Sequence, residues 1–317
     1  MIGYAANRFL SLLAALLAAS IVVFALLDLL PGDPASFMMG LDANRDALAA
    51  LRAELGLDHP AWQRYLAWMW GMAHGDFGVS YTYRVPVAGL IAERAAVSVP
   101  LAAIALLLST GLGIGLALLS FILRGKFVRA AIEGFSQLGI AAPNFWVAIL
   151  LVQIFAVGLG WFSAGGFPGW DAGLAPALRA LALPALALAL PQAAILMRVT
   201  RAAMLEAARQ PYVETARAKG LSRARIVAAH LLPNALTSVL TLLGLQFTFL
   251  LAGAVIVENV FSLPGLGRLV LQAVAQRDLI VVRGVVMVMV FAAVAVAFLV
   301  DLLYVWADPR VRSGRTP

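Results

Sequence analysis

The residue types that carry out chemistry are scarce in this chain of 317 residues. It contains no cysteine, which excludes disulfides, thiolate metal sites, iron–sulfur clusters and cysteine nucleophiles. Its three histidines, His59, His74 and His230, are too scattered to indicate a histidine metal cluster. No stretch has the G-x-x-x-x-G-K-[ST] pattern that cradles ATP phosphates. We therefore expect no catalytic residue, no metal site and no cofactor bound by the chain itself.

The segment 198–232 has a pattern that indicates a binding surface instead. Alanines alternate there with charged residues, and seven bases lie between Arg198 and Arg225. Pro211 is suited to begin or break a helix and Gly220 to end one, so that Tyr212 to Lys219 becomes a short basic amphipathic helix. Taken alone, the pattern predicts a helix on the cytoplasmic membrane surface, held by anionic lipid.

The composition indicates the environment in which these elements lie. Hydrophobic residues make up 63% of the chain and charged residues 12%, and the mean hydropathy is +0.94. Soluble globular chains carry roughly a quarter charged residues, so an ordinary soluble domain is excluded. A net charge of +7 would suggest nucleic acid in a soluble chain. In a membrane chain it reports basic cytoplasmic loops, and no nucleic-acid partner is expected.

Six uncharged runs are candidates for membrane-crossing helices, which need roughly 20 apolar residues each. The first could instead be a secretory signal, but it is longer than the roughly 7 to 15 residues of a signal's apolar region. We therefore predict an all-α integral membrane protein, a single domain over 1–317 with six transmembrane helices. The runs are 9–27, 95–123, 134 to about 160, 180–197, about 233–257 and 284–300.

The basic residues predict the orientation of these helices. With a cytoplasmic N-terminus, the inner segments hold 14 bases against four acids, and the outer segments hold nine bases against ten acids. This asymmetry follows the positive-inside rule, which places both termini in the cytoplasm.

The long loop 31–94 then lies outside the cytoplasm. It contains two helix-like stretches, 44–55 and 60–72, and the second carries the aromatic side chains of Trp62, Tyr65, Trp68 and Trp70. Such residues suit the membrane interface, which favours an interfacial cap that anchors the spans. A docking surface for an extracytoplasmic partner is compatible with the same pattern.

A family resemblance sharpens these expectations. The order Glu214-Thr215-Ala216, three residues, Gly220, nine residues, His230, one residue, Leu232-Pro233 resembles the EAA loop of binding-protein-dependent ABC importer permeases. The family pattern is E-A-A, three residues, G, nine residues, I-x-L-P. Thr215 and His230 depart from it, and both departures are similar to the peptide and nickel branch.

Further motifs of that branch follow in order along the whole chain. They are LPGDP at 30–34, ELGLDHP at 54–60, GDFGVSY at 75–81, VENVFSLPGLG at 257–267, RDL at 277–279 and ADPRVR at 307–312. The long loop after the first span, together with LPGDP, resembles the B-type permease of a pair.

The resemblance implies a transport subunit of the bacterial inner membrane rather than an enzyme. ATP and Mg would bind to two separate ATP-binding subunits, a homologous C-type permease would complete a heterodimer, and an extracytoplasmic substrate-binding protein would deliver a short peptide. A nickel complex or another small solute is the alternative cargo. The residues implied to couple the chain to the ATPase are Tyr212, Glu214, Thr215, Ala216, Gly220, Leu232 and Pro233.

The resemblance also implies an outer gate at Glu258, Pro264, Gly265 and Gly267. The plainer alternative for Glu258 is a helix-end ion pair with Arg277 or Arg283. Two rival functions are a secondary transporter and a membrane enzyme. The first normally needs ionisable residues or broken helices at the midplane and the second needs converging polar groups, and the sequence indicates neither.

Overall fold

The computed structural model describes residues 2–29, 35, 39, 44–54, 56–123 and 125–307. Over these ranges the chain is helical, and the only β-pairing is one isolated bridge between Val79 and Pro86. The LPGDP motif at 30–34, residue 55 of ELGLDHP and residues 308–312 of ADPRVR lie outside the described residues. The helices are α1 (Ile2–Asp28), α2 (Arg45–Glu54), α3 (Ala61–Ala73), α4 (Val87–Ile122), α5 (Lys126–Ala141), α6 (Asn144–Leu151), α7 (Leu174–Ala207), α8 (Pro211–Ala218), α9 (Arg223–Ile226), α10 (Leu232–Val260), α11 (Leu266–Ala275) and α12 (Leu279–Ala307).

Five of these helices, α1, α4, α7, α10 and α12, are long and apolar enough to cross a membrane. They run past the uncharged segments from which they were predicted. In α4, for example, the helix begins at Val87 and includes Glu93 and Arg94, which the uncharged run excludes. A helix can continue beyond the hydrocarbon because its backbone hydrogen bonds are internal. The all-helical membrane architecture is therefore confirmed.

The predicted third span differs from a single crossing helix. It is divided into α5 and α6, which continues as a π-helical turn over Val152–Gly158, and the two parts meet at 112°. Pro143 lacks an N–H and disfavours a helical conformation at the preceding residue, and Ala142 is extended with φ −80° and ψ 122°. The described residues therefore contain five spans, or six if the bent pair counts as one. The count of six stays a prediction.

Helix α7 forms the centre of the bundle. It is the most buried of the apolar helices and packs against α4 and α10. Gly113 of α4 allows a close approach, because a Cβ there would lie 2.9 Å from Leu196 Cβ and 3.0 Å from the Ala193 carbonyl oxygen of α7. By contrast, α1 is mostly exposed and packs on α12, whose first turns carry the buried side chains of Val281, Val282 and Val285. The bundle therefore has a core of α4, α7 and α10, with α12 packed on α10 and α1 packed on α12.

The two ends of the bundle are named here after the short helices they carry, the α3 end and the α8 end. At the α3 end, the helix-like stretches predicted at 44–55 and 60–72 are confirmed as α2 and α3. Helix α3 packs along the last turns of α1, where the Tyr65 and Trp68 rings lie 5.3 and 5.9 Å from the Phe24 ring. The Tyr65 hydroxyl and Ser20 Oγ are 2.8 Å apart. Helix α3 is thus attached to a membrane-crossing helix.

Candidate functional site

At the α8 end, the sequence between Ala207 and Leu232 folds into a compact helical hairpin. Pro211 occupies the first turn of α8, where its missing N–H costs nothing, and α8 ends at Ala218. Gly220 follows with φ +75°, a backbone conformation that glycine adopts without strain. The helix start at Pro211 and the stop at Gly220 were both predicted from the sequence and are confirmed.

Helix α8 presents one face to the protein and the other outward. Val213 and Ala216 are buried, whereas Tyr212, Glu214, Thr215 and Gly220 are exposed. The buried pair belongs to an apolar cluster that also contains residues from the end of α7, the segment 226–231 and the start of α10. These are Met204, Ala207, Ile226, Val227, Leu231 and Ala235. Helix α8 is therefore attached to the bundle through a shared apolar cluster.

A polar contact also joins α8 to the start of α10. Asn234 Nδ2 donates to the Tyr212 hydroxyl at 3.2 Å and to the His230 carbonyl oxygen at 2.7 Å, and the rings of Tyr212 and His230 are 6.5 Å apart. Leu232 and Pro233 are the first two residues of α10. The structure therefore brings Tyr212 close to the start of α10. Leu232 and Pro233 belong to α10 and are not part of the exposed face of α8.

At the α3 end, Glu258 of α10 lies in a fully buried polar contact between three helices. Its Oε1 accepts a hydrogen bond from Ser98 Oγ of α4 at 2.5 Å, and its Oε2 accepts from the backbone N–H of Arg268 at 3.1 Å. Ser98 Oγ in turn accepts from the N–H of Leu266 at 2.8 Å. Glu258 and Ser98 therefore cap the first turn of α11.

The glycines implied in the outer gate leave room for this carboxylate. A Cβ on Gly265 would overlap the Glu258 carboxylate, and a Cβ on Gly267 would overlap the Val255 backbone. Of the two alternative helix-end ion pairs of Glu258, the one with Arg283 is not formed, and the one with Arg277 stays a prediction. The Glu258 carboxylate instead accepts hydrogen bonds from Ser98 and from the first turn of α11. Arg283 has its guanidinium 3.9 Å from the Asp28 carboxylate. Pro264 precedes this cap in the turn before α11.

Two of the sequence motifs meet in a second buried carboxylate contact. Asp278, in RDL, accepts from Ser80 Oγ at 2.5 Å and from the Thr82 N–H at 3.0 Å, and Ser80 belongs to GDFGVSY. The Val281 N–H donates to the other carboxylate oxygen at 3.3 Å. Neither Ser80 nor Ser98 was singled out from the sequence, because serine is common in apolar helices and loops and carries no spacing signal.

Two family models match this chain. The family model described as "Binding-protein-dependent transport system inner membrane component" matches residues 109–313, and the corresponding N-terminal membrane component matches residues 1–102. The chain belongs to this family. These inner-membrane components are transport subunits of ABC importers and not enzymes, and ATP hydrolysis takes place on a separate subunit. This permease is accordingly a multi-pass protein of the inner membrane, with ATPase and substrate-binding partners.

Relatives of this permease extend over nearly all of its length. A permease protein of a peptide transport system from Brucella abortus is 43% identical over 298 residues, covering 94% of this chain and 95% of the relative. The dipeptide transport system permease protein DppB of Escherichia coli K12 is 34% identical over 320 residues, covering 93% and 94%.

Solved structures share the fold of this permease. An inward-facing structure of the MetNI methionine ABC transporter matches with a TM-score of 0.58 and 17% identity, over 69% of this chain and 96% of that chain. An amino acid ABC transporter matches with a TM-score of 0.53 and 20% identity, over 68% and 93%. At these identities the likeness concerns the fold alone.

Proposed function

We propose that this chain is the B-type permease of an ATP-driven importer of short peptides. The observation that carries the cargo assignment is the similarity, over more than nine-tenths of the chain, to permeases named for peptide and dipeptide transport. The two buried carboxylates, Glu258 and Asp278, both bind serine hydroxyls and backbone N–H groups. These contacts suit structural roles and give no specific support to a proton-driven or enzymatic alternative.

In this proposal α8 is the coupling helix, and its exposed residues Tyr212, Glu214 and Thr215 contact the ATP-binding subunit. Val213 and Ala216 anchor the opposite face to the ends of α7 and α10. Because packed interiors transmit displacement instead of absorbing it, closure of the ATPase would tilt α7 and α10 together. Gly220 supports the sharp exit from α8, and Leu232 and Pro233 begin the helix that receives the motion.

The same proposal sets the orientation and the partners. The α8 end and both termini face the cytoplasm, the α3 end faces outward, and a homologous C-type permease supplies the other half of the translocation pathway. Two ATP-binding subunits hold ATP and Mg on the cytoplasmic side. The basic residues of α8 and its flanks, among them Arg217 and Lys219, support this orientation.

The outer gate is proposed at the contact of Glu258 with Ser98 and α11. Because α11 is capped by side chains from α4 and α10, a tilt of α10 relative to α4 would move α11 as well. Gly265 and Gly267 allow the carboxylate to approach the backbone of α11, and Pro264 shapes the turn before it.

The test is uptake by the reconstituted complex. The permease pair, its ATPases and the binding protein are placed in liposomes, and accumulation of a labelled dipeptide is measured with ATP or with a non-hydrolysable analogue inside. We expect uptake only with ATP, binding protein and both permeases. Uptake by this chain alone, or ATP-dependent uptake of a nickel complex but of no peptide, would refute the assignment.

A further inference from the structure

A cavity of about 850 Å³ lies beneath α3, between the ends of α1 and α12. Its charged lining within the described residues comprises three guanidinium groups and two carboxylates: Arg52, Arg64, Arg283, Asp28 and Asp76. Apolar side chains, including Leu27, Trp68 and Ile280, form the rest of the wall. The cavity thus combines a charged region with a net charge of +1 and an apolar region.

Two hydrogen-bond donors in this cavity have no acceptor. Nε of Arg283 and Nε1 of Trp68 are buried, and neither has a hydrogen-bond partner among the described residues. The nearest carboxylate, Asp28, already binds Arg64 at 2.7 and 3.0 Å and lies 3.9 Å from the Arg283 guanidinium. Buried donors are normally satisfied, and the residues that the structure describes leave these two without an acceptor, so both are open to a ligand oxygen.

We propose that this cavity binds the phosphate of an anionic phospholipid from the adjacent leaflet, which is the outer one in the orientation proposed above. Phosphate oxygens would accept from Arg283 and Trp68, and the described charged lining, which has three guanidinium groups and two carboxylates, suits an anionic group. Arg283 lies in the second turn of α12, which begins at Leu279, and is therefore close to the end of the span, where lipid phosphates lie.

The exposed face of α3 supports a lipid occupant. Trp62, Leu66 and Trp70 are spaced four residues apart and are 63%, 56% and 71% exposed, so they form an apolar stripe on one side of the helix. Helix α3 lies beside α1 at the level of Ser20 to Asp28, within the last third of a membrane span. The stripe therefore lies at the depth in the membrane where lipid headgroups meet acyl chains.

The position of the cavity favours lipid over cargo. Its walls come from α1, the start of α12, the α2–α3 region and the segment 76–81, whereas the buried cluster at the centre of the bundle joins α4, α6, α7 and α10. The helices α1 and α12 are the two spans with the smallest buried share. A ligand at the cavity mouth is therefore at the periphery of the chain, where lipid has access.

The test is lipid titration of the intact transporter complex by native mass spectrometry. The probes are dihexanoyl-phosphatidylglycerol, its zwitterionic phosphatidylcholine analogue, and dialanine as a cargo-like zwitterion. The complex is compared with three variants, Arg283→Gln, Trp68→Phe and Arg179→Gln. Trp68→Phe keeps an aromatic ring and removes only the donor, and Arg179 is an exposed arginine at the same end of the bundle, on α7.

We expect saturable binding of the phosphatidylglycerol, tighter than that of the phosphatidylcholine. Loss of a charged donor should weaken it about tenfold in Arg283→Gln, and loss of a neutral donor about fivefold in Trp68→Phe. Arg179→Gln should bind as the unaltered complex does. Unchanged phosphatidylglycerol affinity in Trp68→Phe and Arg283→Gln would overturn the proposal, as would a loss confined to dialanine. If Arg283→Gln does not assemble, Trp68→Phe decides. Binding is read without transport, so this result is independent of the peptide assignment.

Discussion

Ser98 and Glu258, which are 160 residues apart in sequence, are joined by a hydrogen bond of 2.5 Å between the hydroxyl and the carboxylate. The bond connects α4 to α10, and both side chains also bind backbone N–H groups at the start of α11. Three helices at the α3 end are thus held by two polar side chains in an otherwise apolar region. This contact contains Glu258, the residue at the centre of the outer gate proposed above.

Glu258→Ala should destabilise the α3 end of the bundle. The change leaves the Ser98 hydroxyl and the Arg268 N–H without their acceptors, at a cost of about 1–3 kcal/mol for each buried donor. We expect the thermal midpoint of the purified complex to fall by several degrees, measured by tryptophan fluorescence. Glu206→Ala, which removes an exposed carboxylate, is the matched control and should leave the midpoint unchanged. Equal midpoints for the two variants would show that the contact contributes no stability.

Gly265→Ala tests the same contact from the opposite side. The three atoms nearest to an added Cβ all belong to the Glu258 carboxyl group, so the methyl group should displace that carboxylate. We expect Gly265→Ala to lower the thermal midpoint in the unaltered chain and to add little in the Glu258→Ala background. Gly89→Ala, where an added Cβ meets open space within α4, is the control. Strictly additive effects of the two changes would contradict this explanation.

The sequence was sufficient to predict the five long membrane helices and the short helices α2, α3 and α8, because each depends on local signals. Pro211 and Gly220 delimited α8, and uncharged runs located the membrane helices. The bend between α5 and α6 was not predicted, although Pro143 is its physical cause, because a proline can kink a helix, end it or be accommodated within it. Helix α7 shows the last outcome, since it contains Pro184 and Pro191.

The contacts within the candidate sites were less predictable from the sequence than the residues that make them. The resemblance drew attention to Glu258, Gly265 and Gly267, but Ser98 was missed because the pairing of α4 with α10 is a property of the packed bundle. The sequence suggested arginine partners for Glu258 because opposite charges can be recognised in a sequence. The burial of Glu258 beside the start of α11 cannot be recognised there. Motif order likewise indicated RDL and GDFGVSY without showing that Asp278 binds Ser80.

Asp278→Ala should loosen the segment that connects α3 to α4. The buried carboxylate binds Ser80 Oγ and the Thr82 N–H, so its removal frees two groups of that segment. We expect faster hydrogen–deuterium exchange across residues 79–86, with little change in α7. Asp58→Ala removes an exposed carboxylate from the same loop region and should not alter the exchange. Unchanged protection at 79–86 in Asp278→Ala would rule out this role.

Glu214→Ala should uncouple ATP hydrolysis from uptake without reducing the amount of complex in the membrane. Glu214 is exposed and makes no hydrogen bond or ion pair within the part of the chain that the structure describes, so its removal should leave the fold intact. We expect uptake by proteoliposomes to fall at least about tenfold, as for loss of a charged hydrogen bond at an interface. Glu206→Ala again serves as the exposed control. Normal uptake and normal substrate-stimulated ATPase activity in Glu214→Ala would remove Glu214 from the coupling surface.

Two substitutions of Gly220 distinguish the effect of backbone conformation from that of a side-chain contact at the same surface. An added Cβ meets no described atom within 4 Å, so the φ of +75° is the obstacle to adding one. Asparagine tolerates this conformation far better than a β-branched residue does. We therefore expect Gly220→Asn to retain most of the coupled uptake and Gly220→Val to lose it. Equal losses in both variants would instead point to a direct contact of this position with the ATPase.

The absence of cysteine from the chain allows its orientation to be tested with single substitutions. Ala73 ends α3 and Ala224 lies in α9, the helix after α8, and both are exposed. If the α8 end is cytoplasmic, a membrane-impermeant maleimide should label Ala73→Cys in intact spheroplasts and Ala224→Cys only after permeabilisation. Labelling of both variants in denaturant shows that each thiol is reactive, which separates membrane sidedness from shielding by a partner subunit. The reverse pattern would invert the proposed topology and would place α8 on the side that has no ATP, so the coupling assignment would fail with it.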